Sequence, residues 1–235
     1  MTGTNDQNIF LEIYRRLYRR YGPQGWWPGE SGPLDVIVGA ILTQSAAWTN
    51  VEQALNNLKA ADCWSMEAIH RIDQADLAEI IRPCGYFNSK ARKLKAFAAQ
   101  VHDRHGGDLH IFLDQDVAPL RVELLSIYGI GPETADDILV YAAGKPSFVI
   151  DSYTRRILSR MGLAPQGESK GKSNDYHSYQ TLFHHSLPPD PVLFNEYHAL
   201  LDEHAKRVCA KTPLCQDCCL RDLCATGKRS MKVVS

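Results

Sequence analysis

No apolar run in this sequence approaches the roughly 20 residues that a bilayer span needs. The opening "MTGTNDQNIF" also lacks the basic-then-apolar layout of a secretory signal. Both absences place the chain in the cytoplasm, away from membranes. An excess of charge is missing as well: 26 Lys and Arg face 27 Asp and Glu, a net charge of −1, so there is no blanket polycationic footprint. Alternating strand patterns and internal repeats are absent, and "SFVI" (147–150) is too short to build a sheet.

What is present is helical periodicity in an ordinary globular composition, 44% hydrophobic over 235 residues. Phe10, Ile13, Tyr14, Leu17 and Tyr21 recur at three and four, which predicts an amphipathic helix over 6–21. "PLDVIVGAILTQ" (33–44) is almost wholly apolar and predicts a buried helix. Further helices are expected at about 49–60, 65–72, 75–83, 88–104, 117–128, 132–143, 152–162, 176–186 and 191–208, and "APQGESKGKSND" (164–175) reads as a surface loop. The fold class is all-α. Arg15, Arg16, Arg19 and Arg20 line one side of the first helix and read as a solvated face. From His204 onward seven Lys and Arg oppose two Asp, a local balance of +5.

Five of the seven cysteines lie in "CAKTPLCQDCCLRDLC". Cys209, Cys215, Cys218 and Cys224 give C-x5-C-x2-C-x5-C, with Cys219 as an extra. Disulfides are out of place in a cytoplasmic chain of this size. Zinc knuckles show paired C-x2-C units, and only one occurs here. Four thiolates within one short loop suit a 4Fe–4S cluster, whose third corner is open to Cys218 or Cys219. Cys63 and Cys84 read as buried small hydrophobes. The loop resembles that of the endonuclease III group of DNA glycosylases, whose usual pattern is C-x6-C-x2-C-x5-C, one residue longer in the first gap. The resemblance implies a structural cluster shaping a basic loop against the DNA backbone.

"LLSIYGIGPETADDIL" (124–139) predicts a helix, a Gly-Ile-Gly turn and a second helix. Gly129 and Gly131 permit the turn, Pro132 suits the first helical position, and Thr134 opens the helix. Backbone N–H groups at such a turn can bind phosphate. Asp151 follows in "FVIDSYTRR", 20 residues after Gly131. A hairpin with this aspartate resembles the helix-hairpin-helix glycosylase superfamily, over about residues 26–224. Cleaving an N-glycosidic bond develops oxocarbenium character at C1′, which a carboxylate stabilises while activating water. The resemblance therefore makes Asp151 the catalytic residue, a role compatible with capping the helix that begins at Ser152.

Bifunctional members of that group place a lysine nucleophile two residues after the second hairpin glycine. Glu133 stands there, and a carboxylate cannot form an imine. The resemblance thus implies a monofunctional enzyme; Lys145, the nearest lysine that could substitute, reads as a surface residue. The adenine-removing branch needs a glutamate in the helix reading "VIVGAILTQ", where Gly39 stands instead. "GYFNSKA" (85–91) resembles the segment that inserts a side chain where the base leaves the duplex, with Tyr86 as the wedge beside Phe87. Gln44 resembles the polar plug facing the orphaned base. The bland alternative makes Tyr86 and Phe87 core aromatics at a helix junction.

Two adjacent tryptophans in "GWWPGE" (25–30) raise the question of what indoles do in a loop. The stretch, with "LTQ" and an aromatic four residues after the glutamine, resembles the 3-methyladenine glycosylase branch, where such groups sandwich a flipped purine. Trp26, Pro28 and Trp48 match, with Trp27 adjacent. Electron-poor alkylated purines gain a cation–π contribution of roughly 0.5–2 kcal/mol on indole. That branch is known without an iron–sulfur loop, so the chain combines two patterns. The alternative role is to pin the N-terminal helix onto its domain.

The expectation is an all-α, helix-hairpin-helix DNA glycosylase fold in two helical lobes: residues 30–137, ending in the hairpin, and 1–29 with 138–235, carrying the cluster loop (209–224). The active site is expected in the cleft between them. The partner is double-stranded DNA containing a damaged base, bound by a monomer in the nucleoid. The rivals are an endonuclease III-like glycosylase for oxidised pyrimidines or mismatches, and a non-catalytic iron–sulfur protein that binds damaged DNA.

Overall fold

The structure, a computed structural model, describes residues 3–26, 32–165 and 172–232, with side chains from 9–26, 32–165 and 175–230. In chain order the α-helices are α1 (Gly3–Tyr21), α2 (Pro33–Thr43), α3 (Trp48–Ala60), α4 (Met66–Arg71), α5 (Gln74–Ile80), α6 (Phe87–His105), α7 (Leu109–Leu113), α8 (Val117–Ser126), α9 (Pro132–Asp137), α10 (Ser152–Met161), α11 (Lys172–Ser186), α12 (Pro191–Arg207) and α13 (Ala225–Lys232). The backbone continues from α9 through a π-helical stretch, Ile138–Ala142. Among the described residues there is no β-strand, and no helix is long and apolar enough to cross a membrane.

Two differences from the sequence expectation have a local cause. The polar segment 164–175 is not loop throughout, because α11 already begins at Lys172. Asp175 in its first turn pairs with Arg155 at 2.9 Å, so an ion pair holds a turn that apolar periodicity does not mark. Helices α7 and α13 are short and lie beyond the expected set; α7 starts where Asp108 accepts from the His110 and Ile111 N–H groups.

The chain divides into two units, one of Met1–Trp26 with Pro146–Ser235 and one of Trp27–Lys145. In the second, α2 is central: Asp35 through Leu42 are all buried, and Ile37, Val38, Ile41 and Leu42 share a core with Leu94, Phe97 and Phe112. Ile138 and Leu139 of the π-helical stretch belong to the same core, which carries this unit past α9. Lys90 is buried there, and its Nζ donates to Leu42 O at 2.9 Å and Cys84 O at 2.7 Å. A cation at the end of α2 satisfies carbonyls that the helix leaves open. It also ties the turn bearing Gln44 to the turn bearing Tyr86. Cys63 and Cys84 are both buried thiols.

The first unit packs around aromatic rings. Phe148 stacks on Phe183 at 3.7 Å, and Phe10, Phe194 and Tyr197 meet them edge-on. The run Ser147–Ile150 is extended and buried without a strand partner. Side chains of α11 serve its backbone instead: Phe148 N donates to His184 Nε2 at 3.0 Å, Ile150 N to Tyr176 Oη at 3.3 Å, and Gln180 Nε2 donates to Phe148 O at 2.9 Å. Buried backbone groups need such partners. The result is a fixed approach to Asp151.

Candidate active site

Asp151 is the N-cap of α10, and its Oδ1 accepts the Thr154 N–H at 2.7 Å. Its side chain remains 16% exposed. The cap leaves Oδ2 as the other oxygen, and that atom lies 4.0 Å from Nε2 of His198, a buried residue of α12. Burial pulls the His198 pKa down, opposed by Asp151 and Asp202, while Lys206 adds to the lowering. Lys206 pairs with Asp202 at 2.6 Å. Burial pushes the Asp202 pKa up, against the Lys206 bond and charge.

Trp26 meets the same histidine. Its ring stands edge-on to His198 with centroids 5.8 Å apart, and the Lys206 ammonium lies 5.6 Å from the indole centroid. The structure therefore brings two expected site residues, Asp151 and Trp26, around one imidazole that the sequence analysis missed. A signal was available: His198 sits in the buried stripe of α12 with Phe194, Tyr197 and Leu201. Trp27 and Pro28 lie outside the described residues.

The remaining expected residues belong to the second unit. Gly129 has φ +81°, in the left-handed region, and Gly131 is the extended N-cap of α9 ahead of Pro132. The Ile130 N–H between them is spent on Ile127 O at 3.1 Å. Gln44 is tied to this turn, donating through Nε2 to Thr134 Oγ1 at 3.0 Å and to Gly129 O at 3.3 Å. Lys93 donates to Gln44 Oε1, so both ends of the amide are engaged. Thr134 is buried, Glu133 is exposed at the start of α9, and Gly39 lies buried in α2.

Tyr86 and Phe87 part company. Phe87 packs against the core with Arg82 5.3 Å over its ring, whereas Tyr86 is 74% exposed. Tyr86 also has φ +47°, and Ser45, next to Gln44, has φ +55°. A bulky residue held in the left-handed region costs about 1–3 kcal/mol and tends to mark functional turns. Trp48 opens α3, is 43% exposed, and donates from Nε1 to Glu52 at 2.8 Å.

In the cysteine loop, Cys209, Cys215, Cys218 and Cys224 line one pocket with Arg160. Cys219 is not in its lining, and its carbonyl accepts from Arg16 at 3.4 Å. Arg16, which also pairs with Glu12 and Asp222, is thus committed to the loop and not to solvent alone. Tyr21 Oη and His204 Nδ1 are 2.8 Å apart, and His204 Nε2 lies 3.6 Å from Cys218 Sγ. Burial pulls the His204 pKa to about 4 and pushes the Cys218 thiol up to about 12.

Similarity to known proteins gives the family. Residues 38–177 match the HhH-GPD superfamily of base excision DNA repair proteins. A candidate DNA repair glycosylase of Methanocaldococcus jannaschii is 42% identical over 221 residues, spanning 94% of this chain and 97% of that protein. The H. pylori 3-methyladenine DNA glycosylase bound to 1,N6-ethenoadenine is 25% identical, with a TM-score of 0.69 over 86% of this chain and 97% of that one. Endonuclease III trapped on DNA shares the fold at 18% identity, with a TM-score of 0.78 over 96% of this chain and 98% of that one. On this ground the chain belongs to the HhH-GPD superfamily of base excision DNA repair proteins, and it is a DNA glycosylase.

Proposed function

We propose that this glycosylase hydrolyses the N-glycosidic bond of an alkylated purine, 3-methyladenine or a close analogue, without cleaving the backbone. The observation that carries the reading is the convergence of the Asp151 carboxylate and the Trp26 indole on His198. Indole offers a wide π-face for an extruded base, and the carboxylate faces the developing positive charge at C1′. The C1′–N bond breaks with its electron pair leaving on the base. Water adds to C1′ through oxygen, and its proton passes to Asp151 and on to the departing base or solvent. The sequence resemblance offers Trp27, Pro28 and Trp48 as further stacking residues. The H. pylori relative holds 1,N6-ethenoadenine, which supports a purine.

Glu133 supports the monofunctional assignment, since it supplies no amine where a Schiff base would form. Tyr86 serves as the wedge and Gln44 as the plug, with the Gly129–Gly131 turn and the basic C-terminal segment on backbone phosphates. Binding then weakens steeply with salt.

The donor set fits a 4Fe–4S cluster held by Cys209, Cys215, Cys218 and Cys224. The four sulfurs share a pocket, yet among the described residues no three His, Cys, Asp or Glu side chains converge as a single ion requires. A cubane holds its thiolates at separate corners and, when bound, cross-links the end of α12 to the start of α13. The pocket lining favours Cys218 over Cys219.

One observation favours a second substrate class. Lys206 already sets a positive charge near Trp26, which reduces the gain from stacking a cationic base, although Asp202 balances it. A neutral lesion, such as an etheno-purine or an oxidised pyrimidine, avoids that cost. The test is base release from duplexes carrying 3-methyladenine, 1,N6-ethenoadenine, thymine glycol or a T·G mismatch, with borohydride trapping in parallel. Release of the purines with no covalent trap is expected. Trapping removes the monofunctional assignment; release confined to thymine glycol or T·G removes the purine. Release of no base leaves a non-catalytic damaged-DNA-binding protein.

A further inference from the structure

We propose that His198 is a positioning residue for Asp151, holding Oδ2 toward the sugar and setting the charge that the carboxylate presents. The inference rests on Asp151 as the catalytic carboxylate. It goes further by assigning the carboxylate's behaviour to a residue on another helix.

The geometry supplies the argument. The α10 cap binds one oxygen of Asp151, fixing the carboxylate at Oδ1 only, so rotation about that anchor still moves Oδ2. His198 Nε2, at 4.0 Å, is too far for a direct hydrogen bond but close enough to limit that rotation. One bridging water or a shift of about an ångström closes the contact. The imidazole itself has little freedom, since it is buried on α12 with the Trp26 ring edge-on against it. Carboxylate, imidazole and indole therefore form one row, and movement of the indole under a stacked base reaches Oδ2 through His198.

Charge follows from the same row. Among the described residues, the charged groups that act on His198 include Asp151 from the start of α10 and Asp202 and Lys206 from its own helix. Helix α1 also packs on α12, but its Tyr14 faces Tyr197 and its Tyr21 faces His204. Burial holds His198 below the ordinary histidine value, so the ring is neutral at neutral pH and adds no positive charge beside Oδ2. Acidification protonates the ring. The imidazolium then pairs with Oδ2 and competes with the oxocarbenium centre for it. Base release is thus lost as acid protonates the ring.

The experiment is single-turnover base release by the full protein across pH, on whichever duplex of the four-lesion panel it cleaves fastest, for wild type, His198→Gln, His198→Phe and Asp151→Asn. Affinity for a duplex with a tetrahydrofuran abasic analogue is measured alongside. His198→Gln is expected to slow release about tenfold or more at neutral pH, the low end for a lost acid–base partner, with abasic-DNA affinity within about twofold. Its acid limb is expected to move to lower pH than that of wild type, because the ring that takes up the proton is gone. His198→Phe keeps a ring against Trp26 and should lose release equally. Unchanged rates in both variants, or an acid limb that stays where wild type has it, overturn the proposal while leaving Asp151 intact. Full activity of Asp151→Asn sinks the catalytic reading and this inference with it. If neither His198 variant folds, the wild-type profile decides. Two protonations in its acid limb support the proposal, and a single protonation ends it.

Discussion

Gly129 lies directly against the side chain of Lys93: a Cβ added at 129 would overlap Lys93 Cγ, Cδ and Cε. The crowded atoms are the middle of the lysine chain, and its Nζ is engaged with Gln44, so the chain cannot simply swing away. Gly129 also has φ +81°. Gly129→Ala is therefore strained twice. Its expected cost is about 1–3 kcal/mol in denaturant unfolding. If the turn holds phosphate as proposed, Gly129→Ala should also weaken DNA binding and flatten its salt dependence. Gly131→Ala, where nothing lies within 4 Å of the added carbon, should be mild by comparison.

The two helices of the hairpin are clamped by Arg121 of α8 and Asp136 of α9. Nε and Nη2 reach the two carboxylate oxygens at 2.8 and 3.0 Å, and the Asp136 side chain has no exposure. Arg121→Met keeps the apolar stem but takes the guanidinium from a buried carboxylate. The expected loss is about 3 kcal/mol, the low end for a broken buried pair because the guanidinium is 28% exposed. Thermal or urea unfolding reads it directly.

Much of this is legible in the sequence, for physical reasons. Helices such as α1 and α12 declare themselves because their apolar residues must face a core at every third or fourth step. The hairpin declares itself because the left-handed backbone at 129, pressed against Lys93, favours glycine. Asp151 is visible as a helix cap because it follows a short apolar run and precedes a helical pattern. His198 is visible only as a polar ring in the apolar stripe of α12, and the stripe carries no mark of Asp151 and Trp26 across from it. The first turn of α11 is hidden for the related reason that Asp175 gains its partner, Arg155, from another helix.

Tyr86 separates stability from function. Its φ of +47° suits glycine, and its side chain is 74% exposed, so little packing is lost on removal. In Tyr86→Gly, relief of strain and the added flexibility of glycine nearly cancel, leaving stability within about 1 kcal/mol of wild type. Base release should fall about tenfold or more, because nothing then fills the gap left by the extruded base. A variant that is stable and fully active would return Tyr86 to the ordinary surface.

Acid sensitivity of the second unit centres on Glu123. Burial raises its pKa, but bonds with His105, Gln115 and Gln100 at 2.7–2.9 Å outweigh it and hold the carboxyl below its ordinary value. A carboxyl lowered on folding contributes stability above the unfolded-state pKa, about 4.3, and loses it as pH falls through the lower folded value. Glu123→Gln removes that contribution. The stability gap between wild type and variant should be full above about pH 5 and close as acid is added below about pH 4. A gap that does not change with pH would assign Glu123 a packing role only.

Arg160 holds both ends of the cysteine loop. Its guanidinium donates to the carbonyls of Cys209, Ala210 and Lys211 at 3.1, 2.6 and 2.8 Å, and Nη1 lies 3.2 Å from Cys209 Sγ. Its own carbonyl accepts from Cys224 Sγ at 3.2 Å and Thr226 Oγ1 at 2.9 Å. The loop backbone is thus moulded around one planar donor, and lysine cannot reproduce a fork that reaches three carbonyls. Arg160→Lys and Arg160→Ala should therefore both lose iron per chain, alanine more, with about 2–4 kcal/mol of stability lost in alanine as several charge-assisted bonds vanish. Arg156 donates to Cys209 O and Ala205 O and should partly compensate, so the double variant is expected to be worse than either single one. Iron analysis and the intensity of the brown chromophore measure the first effect, and unfolding measures the second. Undiminished iron in the double variant would mean that the four cysteines shape their own pocket without help from α10.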